Sequence, residues 1–438
     1  MKTADIVRGI DAAGRDERTL SSAIRKIKWR LVPILCLSFL FNYIDRVNIV
    51  FVRSYLECDL GIGAAAYGVG AGLFFISYFV FQVPANILLC KFGARIWLSC
   101  IVMLWGAVCM LMAVIQDAVG FYVMRLLLGT AEAGFVPGVM YYFSHWLPDK
   151  ARIKAIAWFM MSGILAGVVS GPLSYLLLQL DGLRLHPWQW LFLVEGFASV
   201  LMGLILLRVL VSMPNQAKWL SHDECRILVQ CIHLEKRQSA PSIAANTRWH
   251  ALCRDPQYFL FSFLYFCLHL PFYAVLFWLP QLIRQSDPNR DAFEIGVINA
   301  IPWVLTMLAM TLWAQHDRGD RFRKAGLAIA IALSAAGCYL STLPPTSLAF
   351  VGVCVTASGS ALAANILWSI AQRYADPTIA AVAFAMMNSM GALSGFVAPT
   401  LFGFLEALYG SVASGFRGLA LLALIGAVGV YFIRSTRQ

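Results

Sequence analysis

Apolar residues run in long, nearly unbroken blocks along this chain, with short polar patches between them. Twelve blocks have lengths near 20 residues: 29–52, 64–90, 96–116, 118–143, 155–180, 189–211, 256–283, 292–315, 325–342, 346–372, 378–407 and 412–434. That length suits an α-helix crossing a hydrocarbon core about 30 Å thick. Membrane-crossing strands are about 9–11 residues and alternate in polarity, so a barrel is excluded. The pattern predicts an all-α integral membrane protein with twelve transmembrane helices.

The longest polar interruption runs from Ser212 to about Asp255 and carries Lys218, Arg226, Lys236, Arg237, Arg248 and Arg254. It divides the chain into six spans and six spans. The expected organisation is an N-terminal segment (1–28), a six-helix bundle (29–211), a linker (212–255), a second bundle (256–434) and a tail (435–438). Within the linker, Lys218 to Arg237 predicts a surface helix and Ser239 to Thr247 a flexible stretch.

Short matches relate the halves. Phe159-Met-Met-Ser162 followed by Gly171-Pro172-Leu173 resembles Met386-Met-Asn-Ser389 followed by Ala398-Pro399-Thr400, with the same interval from Ser to Pro. Ser38-Phe-Leu-Phe41 likewise matches Ser262-Phe-Leu-Tyr265. A duplication of this kind makes the bundles pseudo-symmetric and places a substrate site between them near the bilayer midplane. Extending the second match without a gap sets His269 opposite Asp45, so both are expected to face one shared cavity.

Composition supports the membrane assignment. The chain is 60% hydrophobic and 13% charged, with mean hydropathy +0.72, unlike a water-soluble domain. The net charge of +11 raises the question of nucleic acid, but the distribution of the charges answers it. With Met1 cytoplasmic, the inner side holds 26 of the 34 Lys and Arg and the outer side five, while Arg46, Arg125 and Arg208 fall within spans. The positive-inside rule then predicts both termini cytoplasmic and no nucleic-acid partner. Residues 1–28 lack the apolar core and cleavage site of a signal peptide, so the first span is the expected insertion signal. Among eleven cysteines there is no C-x-x-C pair, and Cys36, Cys100, Cys109, Cys267, Cys338 and Cys354 lie in spans as small apolar packers. Neither a metal nor a cofactor is expected, and no nucleotide motif points to ATP-driven transport.

Charged residues inside the spans carry the functional signal. Span 1 holds Asn42, Tyr43, Asp45, Arg46 and Asn48. Span 4 holds Arg125 and Glu132, seven residues apart and therefore on one helical face. An ion at mid-membrane costs at least ~2.5–3.5 kcal/mol on insertion scales, so such residues usually line a polar pathway. Arginine grips a carboxylate through paired hydrogen bonds that lysine cannot imitate, so two buried arginines with two acids suit a carrier of small anions. The competing reading is a permanent set of structural ion pairs.

Asn42-Tyr-Ile-Asp-Arg-Val-Asn48 resembles the first-helix signature of the anion:cation symporter branch of the major facilitator superfamily. Arg125-Leu-Leu-Leu-Gly-Thr-Ala-Glu-Ala-Gly-Phe-Val-Pro-Gly138 resembles the fourth-helix motif of that branch, and Trp188-Gln-Trp-Leu-Phe-Leu-Val-Glu-Gly196 the start of its sixth helix. The resemblance spans nearly the whole chain and is stronger in the first half. It is nearest to bacterial permeases for tartrate, phthalate, sugar acids and 4-hydroxyphenylacetate. It implies the major facilitator fold, a bacterial inner-membrane location, and alternating-access import of an organic anion with protons; a monomer is expected. By position, Asp45 and Glu132 match the proton-coupling carboxylates, and Arg46 and Arg125 the substrate and coupling arginines. Two departures stand out. Cys90, in Leu89-Cys-Lys-Phe-Gly-Ala-Arg95, replaces the usual aspartate of a gating salt bridge, leaving Lys91 and Arg95 with Asp317, Arg318 and Arg321 of Asp317-Arg-Gly-Asp-Arg321 as gate candidates. Ala392 stands where many relatives carry asparagine, and Asn388, one turn earlier, is the candidate substitute.

The remaining candidates carry a bland alternative each. Tyr43, Tyr78, Tyr273 and Trp278 either line the cavity, where rings suit an aromatic acid, or simply pack. Gln82, Asn86 and Ser162 are candidate cavity hydrogen-bonders. His269 is a substrate or proton ligand or else a satisfied interior histidine, and Glu195 is expected to pack or cap. The glycine runs Gly68/Gly70/Gly72, Gly129/Gly134/Gly138 and Gly163/Gly167/Gly171 predict close helix packing rather than phosphate loops. An exporter or uniporter of an amphipathic compound is the alternative transporter class, with a membrane sensor or enzyme further behind.

Overall fold

The computed structural model describes residues 2–182, 184–238, 255–287, 290, 292–316, 319–374, 380–410, 415–420, 426, 429 and 432–433. Fifteen helices are described: α1 (Lys2–Arg30), α2 (Val32–Val47), α3 (Ile49–Leu60), α4 (Ala64–Phe92), α5 (Ala94–Leu111), α6 (Ala118–Glu132), α7 (Phe135–Trp146), α8 (Asp149–Leu178), α9 (Pro187–Val209), α10 (His222–Gln238), α11 (Pro256–Ser286), α12 (Ala292–His316), α13 (Asp320–Leu340), α14 (Thr346–Tyr374) and α15 (Ala380–Tyr409). Residues 415–420 are also helical. Eleven segments among the described residues are long and apolar enough to cross a membrane, from Asp16–Leu60 to Met386–Tyr409. The expected twelfth span, 412–434, lies largely outside the described residues, as do 239–254, 435–438, Asp317 and Arg318.

Local chemistry sets the helix ends. The Asp117 carboxylate caps α6 by accepting from Gly120 N–H at 2.7 Å, and Asp255 caps α11 by accepting from Gln257 N–H at 3.0 Å. Pro84, Pro172, Pro271, Pro280, Pro302 and Pro399 sit inside helices. Membrane helices tolerate this because neighbouring helices satisfy the freed backbone groups. The two signature spans are each interrupted beside their charges: α2 gives way to α3 at Asn48, and α6 ends at Glu132 before α7 begins.

Helix contacts follow the small residues. Within the first half α5 packs along α9, and a Cβ on Gly106 would lie 2.7 Å from Gly196 O. Only glycine permits that approach, so the helices gain close backbone contact where lipid supplies no hydrophobic drive. Between the halves α4 packs on α15 and α8 on α12; a Cβ on Gly171 would lie 2.5 Å from Gly296 O. The outward faces carry exposed apolar side chains such as Leu104 and Ile329, as a lipid-facing surface requires.

The halves meet firmly at the end that carries the 61–63 and 179–186 loops. There Arg53 of α3 pairs with Glu406 of α15 at 2.8 Å, and Trp278 Nε1–H of α11 donates to the same carboxylate oxygen at 2.6 Å. Arg53 also lies over the rings of Tyr67 and Trp278, at 5.1 and 5.3 Å. Arg284 Nη1–H donates to Ser54 Oγ at 2.8 Å alongside. At the opposite end α1 is clasped to α10: Glu224 accepts from Lys26 and Ser22, each at 2.8 Å. The surface helix expected from Lys218 to Arg237 is α10, beginning four residues later.

Candidate functional site

Asn42 and Arg46 are one turn apart on α2, so Asn42 Oδ1 receives Arg46 Nη2–H at 3.3 Å and steers the guanidinium toward α6. There Arg46 Nη2–H and Nε–H both donate to Glu132 Oε2, at 2.8 and 3.2 Å. Three rings enclose the guanidinium: Phe74 at 4.8 Å, Tyr43 at 5.0 Å and Tyr78 at 5.2 Å. Aromatic faces favour a desolvated cation, so Arg46 is held by one acid and three quadrupoles.

Arg125 differs. It is fully buried, its guanidinium lies 4.8 Å from the same Phe74 ring, and its three side-chain nitrogens have no hydrogen-bond partner among the described residues. Glu132 Oε1 is also buried without a hydrogen-bond partner among the described residues. Arg46 and Arg125 thus both lie against one aromatic ring, with one of the two hydrogen-bonded to a carboxylate. Unmet guanidinium donors in an interior are costly unless an anion meets them.

Asp45 turns away from both arginines. Its carboxylate accepts from Ser199 Oγ–H of α9, from Trp105 Nε1–H at 3.0 Å and from Cys109 Sγ–H at 3.6 Å, the last two on α5. Glu195, also on α9, is buried nearby; its Oε2 accepts from Asn48 Nδ2–H at 3.1 Å, while Oε1 has no hydrogen-bond partner among the described residues. Glu195 therefore joins a buried polar network with Asp45 rather than only packing or capping.

A cavity of 360 Å³ lies between the halves. The first half lines it with Phe39, Tyr43 and Val47 of α2 and with Gly163 and Gly167 of α8. The second half supplies Tyr265, His269, Phe272 and Tyr273 of α11, Trp303 and Thr306 of α12, and Ser360, Asn365 and Trp368 of α14. Arg46 stands directly behind Tyr43.

Of the residues expected from the sequence, Tyr43, His269 and Tyr273 form the wall, and Tyr78 reaches the site through Arg46. His269 Nδ1 is hydrogen-bonded to Tyr265 O at 2.9 Å, and its ring lies 4.1 Å from the Tyr265 ring at an interplanar angle of 44°. The expectation that Asp45 and His269 share the cavity is corrected: α2 presents Tyr43 and Val47 there, and a position two residues from each points into α5 and α9. Ser162 is likewise displaced. Its hydroxyl donates to Phe159 O at 2.6 Å and it lines a cleft on the outer side of α2 and α8, while neighbouring Gly163 faces the cavity. Asn388 is exposed outside the wall, because α15 sets Gly391 and Gly395 against Tyr265 and Phe75. Gln82 and Asn86 are half-buried and bond to each other, with Asn86 Nδ2–H on Gln82 O at 2.8 Å. Trp278 belongs to the Arg53–Glu406 contact and not to the cavity. Among the gate candidates, Lys91, Arg95 and Arg321 are exposed, and Arg95 Nε–H donates to Leu207 O at 2.9 Å within its own half.

Trp303, Thr306, Ser360 and Asn365 escaped the sequence reading. Asn365 had a usable signal, an amide well inside the apolar run 346–372 and away from Gln372 at its end. Arg53 and Glu406 sit near the ends of runs and resemble ordinary interfacial charges. Among the described residues no cluster of three His, Cys, Asp or Glu side chains fits a metal ion.

Comparison with known proteins agrees with this architecture. Residues 35–399 match the family model described as Major Facilitator Superfamily. A putative tartrate transporter of Agrobacterium vitis is 35% identical over 92% of this chain and 90% of its own. A quinolone resistance transporter of Acinetobacter baumannii is 36% identical over 94% of each chain. In three dimensions the inward-open xylose transporter XylE from E. coli aligns with a TM-score of 0.73 at 12% identity, covering 92% of this chain and 95% of that one, a likeness of fold alone.

Proposed function

The chain belongs to the major facilitator superfamily and is a multi-pass membrane transporter, and from that premise we propose that it imports a small organic carboxylate together with protons. The observation that carries this reading is the unequal arginine pair: Arg46 held by Glu132, and Arg125 buried against the same Phe74 ring with donors that no described residue meets. A substrate carboxylate entering beside Tyr43 competes with Glu132 for guanidinium donors. Protonation of Glu132 releases Arg46 to the substrate; loss of that proton on the other side restores the ion pair and expels the anion. The Arg53–Glu406 contact closes one end of the pathway meanwhile, and rocking of the halves opens it. Asp45 sits in the α5–α9 network, so its proposed part in coupling acts through the position of α2 rather than through an arginine. The relative named for tartrate supports a hydroxylated acid as cargo, and the positive-inside distribution supports cytoplasmic termini in a bacterial inner membrane.

The test is thermal stabilisation of purified protein by a panel of organic acids at two pH values. A ligand that binds the folded state raises its melting temperature by mass action. One carboxylate class stabilising wild type but not Arg46→Ala supports the proposal; stabilisation only by neutral or cationic compounds overturns it. Export or uniport of an amphipathic compound is the second reading, favoured by the ring-lined cavity and the resistance-transporter relative. Uptake into proteoliposomes that ignores an imposed pH gradient selects that reading.

A further inference from the structure

A second cavity, of 590 Å³, lies outside the central one, on the outer surface where α1 meets α2 and α8. Its mouth is basic: Lys28 closes α1 and Lys154 opens α8, and neither has an ionic or hydrogen-bonding partner among the described residues. The neighbouring cations are committed elsewhere, Lys26 to Glu224 and Arg30 to the face of Trp219. Trp29 and Trp158 flank the cleft and are 79% and 69% exposed, the placement of indoles at a membrane interface. Beyond them the walls are apolar, formed by Leu37 and Leu40 on one side and Ala155 and Leu165 on the other.

The depth of the cleft is informative. The helical hydrogen bonds continue through Leu31, so from Lys28 to Leu40 the axis advances roughly 18 Å at ~1.5 Å per residue. From Lys154 to Leu165 it advances roughly 16 Å. Either figure is about half of a ~30 Å hydrocarbon core, the thickness of one leaflet. Two unpaired cations at the headgroup level over an apolar slot one leaflet deep match an acidic lipid, and basic pockets between helices on the cytoplasmic side are suited to such headgroups.

We propose that this cleft binds an anionic phospholipid of the leaflet on the α1 side, with the acidic headgroup on Lys28 and Lys154 and one acyl chain along Leu37, Leu40 and Leu165. The bound lipid braces α2, which carries Arg46, against α8, which lines the cavity through Gly163. The proposal rests on the membrane-spanning fold and is independent of the cargo.

The experiment uses the purified full chain in detergent, with melting temperature read after adding phosphatidylglycerol, phosphatidylcholine of the same acyl chains, or inorganic phosphate. Phosphatidylglycerol is expected to stabilise wild type more than phosphatidylcholine does. K28Q/K154Q is expected to erase that difference while keeping the phosphatidylcholine response, and L37W, which fills the slot under intact lysines, to erase it too. Native mass spectrometry should show the matching loss of retained anionic lipid in both variants. Equal response to the two lipids in wild type, or a preference that survives K28Q/K154Q, overturns the site. A shift from inorganic phosphate equal to that from phosphatidylglycerol also overturns it, because a free anion then suffices.

Discussion

Residues 29–211 bury their charge behind the wall of the central cavity, whereas the half from residue 256 onward lines that cavity with rings, hydroxyls and one amide. Behind Tyr43 the first half buries Arg46 on Glu132 with Arg125 against the same Phe74 ring, and it buries Asp45 and Glu195 separately between α2, α5 and α9. The second half lines the cavity with His269, Tyr273, Trp303, Thr306 and Asn365. The two halves of one fold therefore carry different chemistry. Ion pairs in low dielectric need matched geometry, which one rigid half supplies, while a neutral wall can move against it without breaking charge contacts. The comparison implies that substitutions in the first half abolish transport and that those in the second half reshape selectivity.

Arg46→Ala should test this most severely. It removes two donors from Glu132 and the substrate's proposed grip, so uptake in proteoliposomes should fall by at least ~100-fold, as losing charge-assisted hydrogen bonds worth about 1.5–3 kcal/mol each implies. Arg46→Lys should do nearly as badly, because an ammonium lacks the fork. Robust uptake by the lysine variant would break the comparison. Glu132→Gln should keep counterflow exchange yet lose accumulation against a gradient; full gradient-driven accumulation would remove Glu132 from coupling.

Arg53→Gln should act on the closed end instead of the cavity. Removing one partner of a buried pair costs ~3–5 kcal/mol, and we expect about 2 kcal/mol here because Trp278 still donates to Glu406. Thermal unfolding of R53Q, E406Q and the double variant measures this, and strictly additive losses would deny the contact. Asn365→Ala should raise KM about tenfold with kcat little changed, in keeping with one lost hydrogen bond to cargo of about 1.4 kcal/mol. An unchanged KM would take Asn365 out of the wall's selectivity.

The smallest effect belongs to the clasp outside the membrane. Burial pushes the Glu224 carboxyl up, but Lys26, the Ser221 N–H and Ser22 outweigh it and hold it down, from 4.5 to about 2. A carboxyl lowered in the folded state stabilises above its ordinary range and loses that contribution as pH falls toward the lowered value. The α1–α10 contact should therefore be intact above pH 4.5 and loosen between there and about pH 2, with Glu224→Gln removing that pH dependence. Hydrogen exchange of α10 at pH 6 and pH 3 reports it; equal protection at both would refute the assignment.

How much was legible varies with the range of the interaction. Asp45, Arg46, Arg125 and Glu132 announced themselves because an ion within an apolar run is conspicuous one-dimensionally. Their pairing did not. Adjacent residues on α2 point in different directions, so Arg46 meets Glu132 while Asp45 meets Ser199, Trp105 and Cys109. Ser162 and Asn388 failed as cavity candidates for the same reason: a polar residue in a span has several faces available, and packing of glycine neighbours decides which is used.

Sequence alone determined the α-helical membrane architecture, the charge asymmetry and four of the buried ions (Asp45, Arg46, Arg125 and Glu132), because span length, loop charge and the cost of burying a charge are properties of single segments. Only the tertiary structure decided that Arg46 and Arg125 share Phe74, that Arg53 closes on Glu406 across 353 residues of chain, and that Lys28 and Lys154 border one cleft. Each of those depends on helix rotation and on glycine contacts between helices far apart in sequence, and no local pattern encodes them.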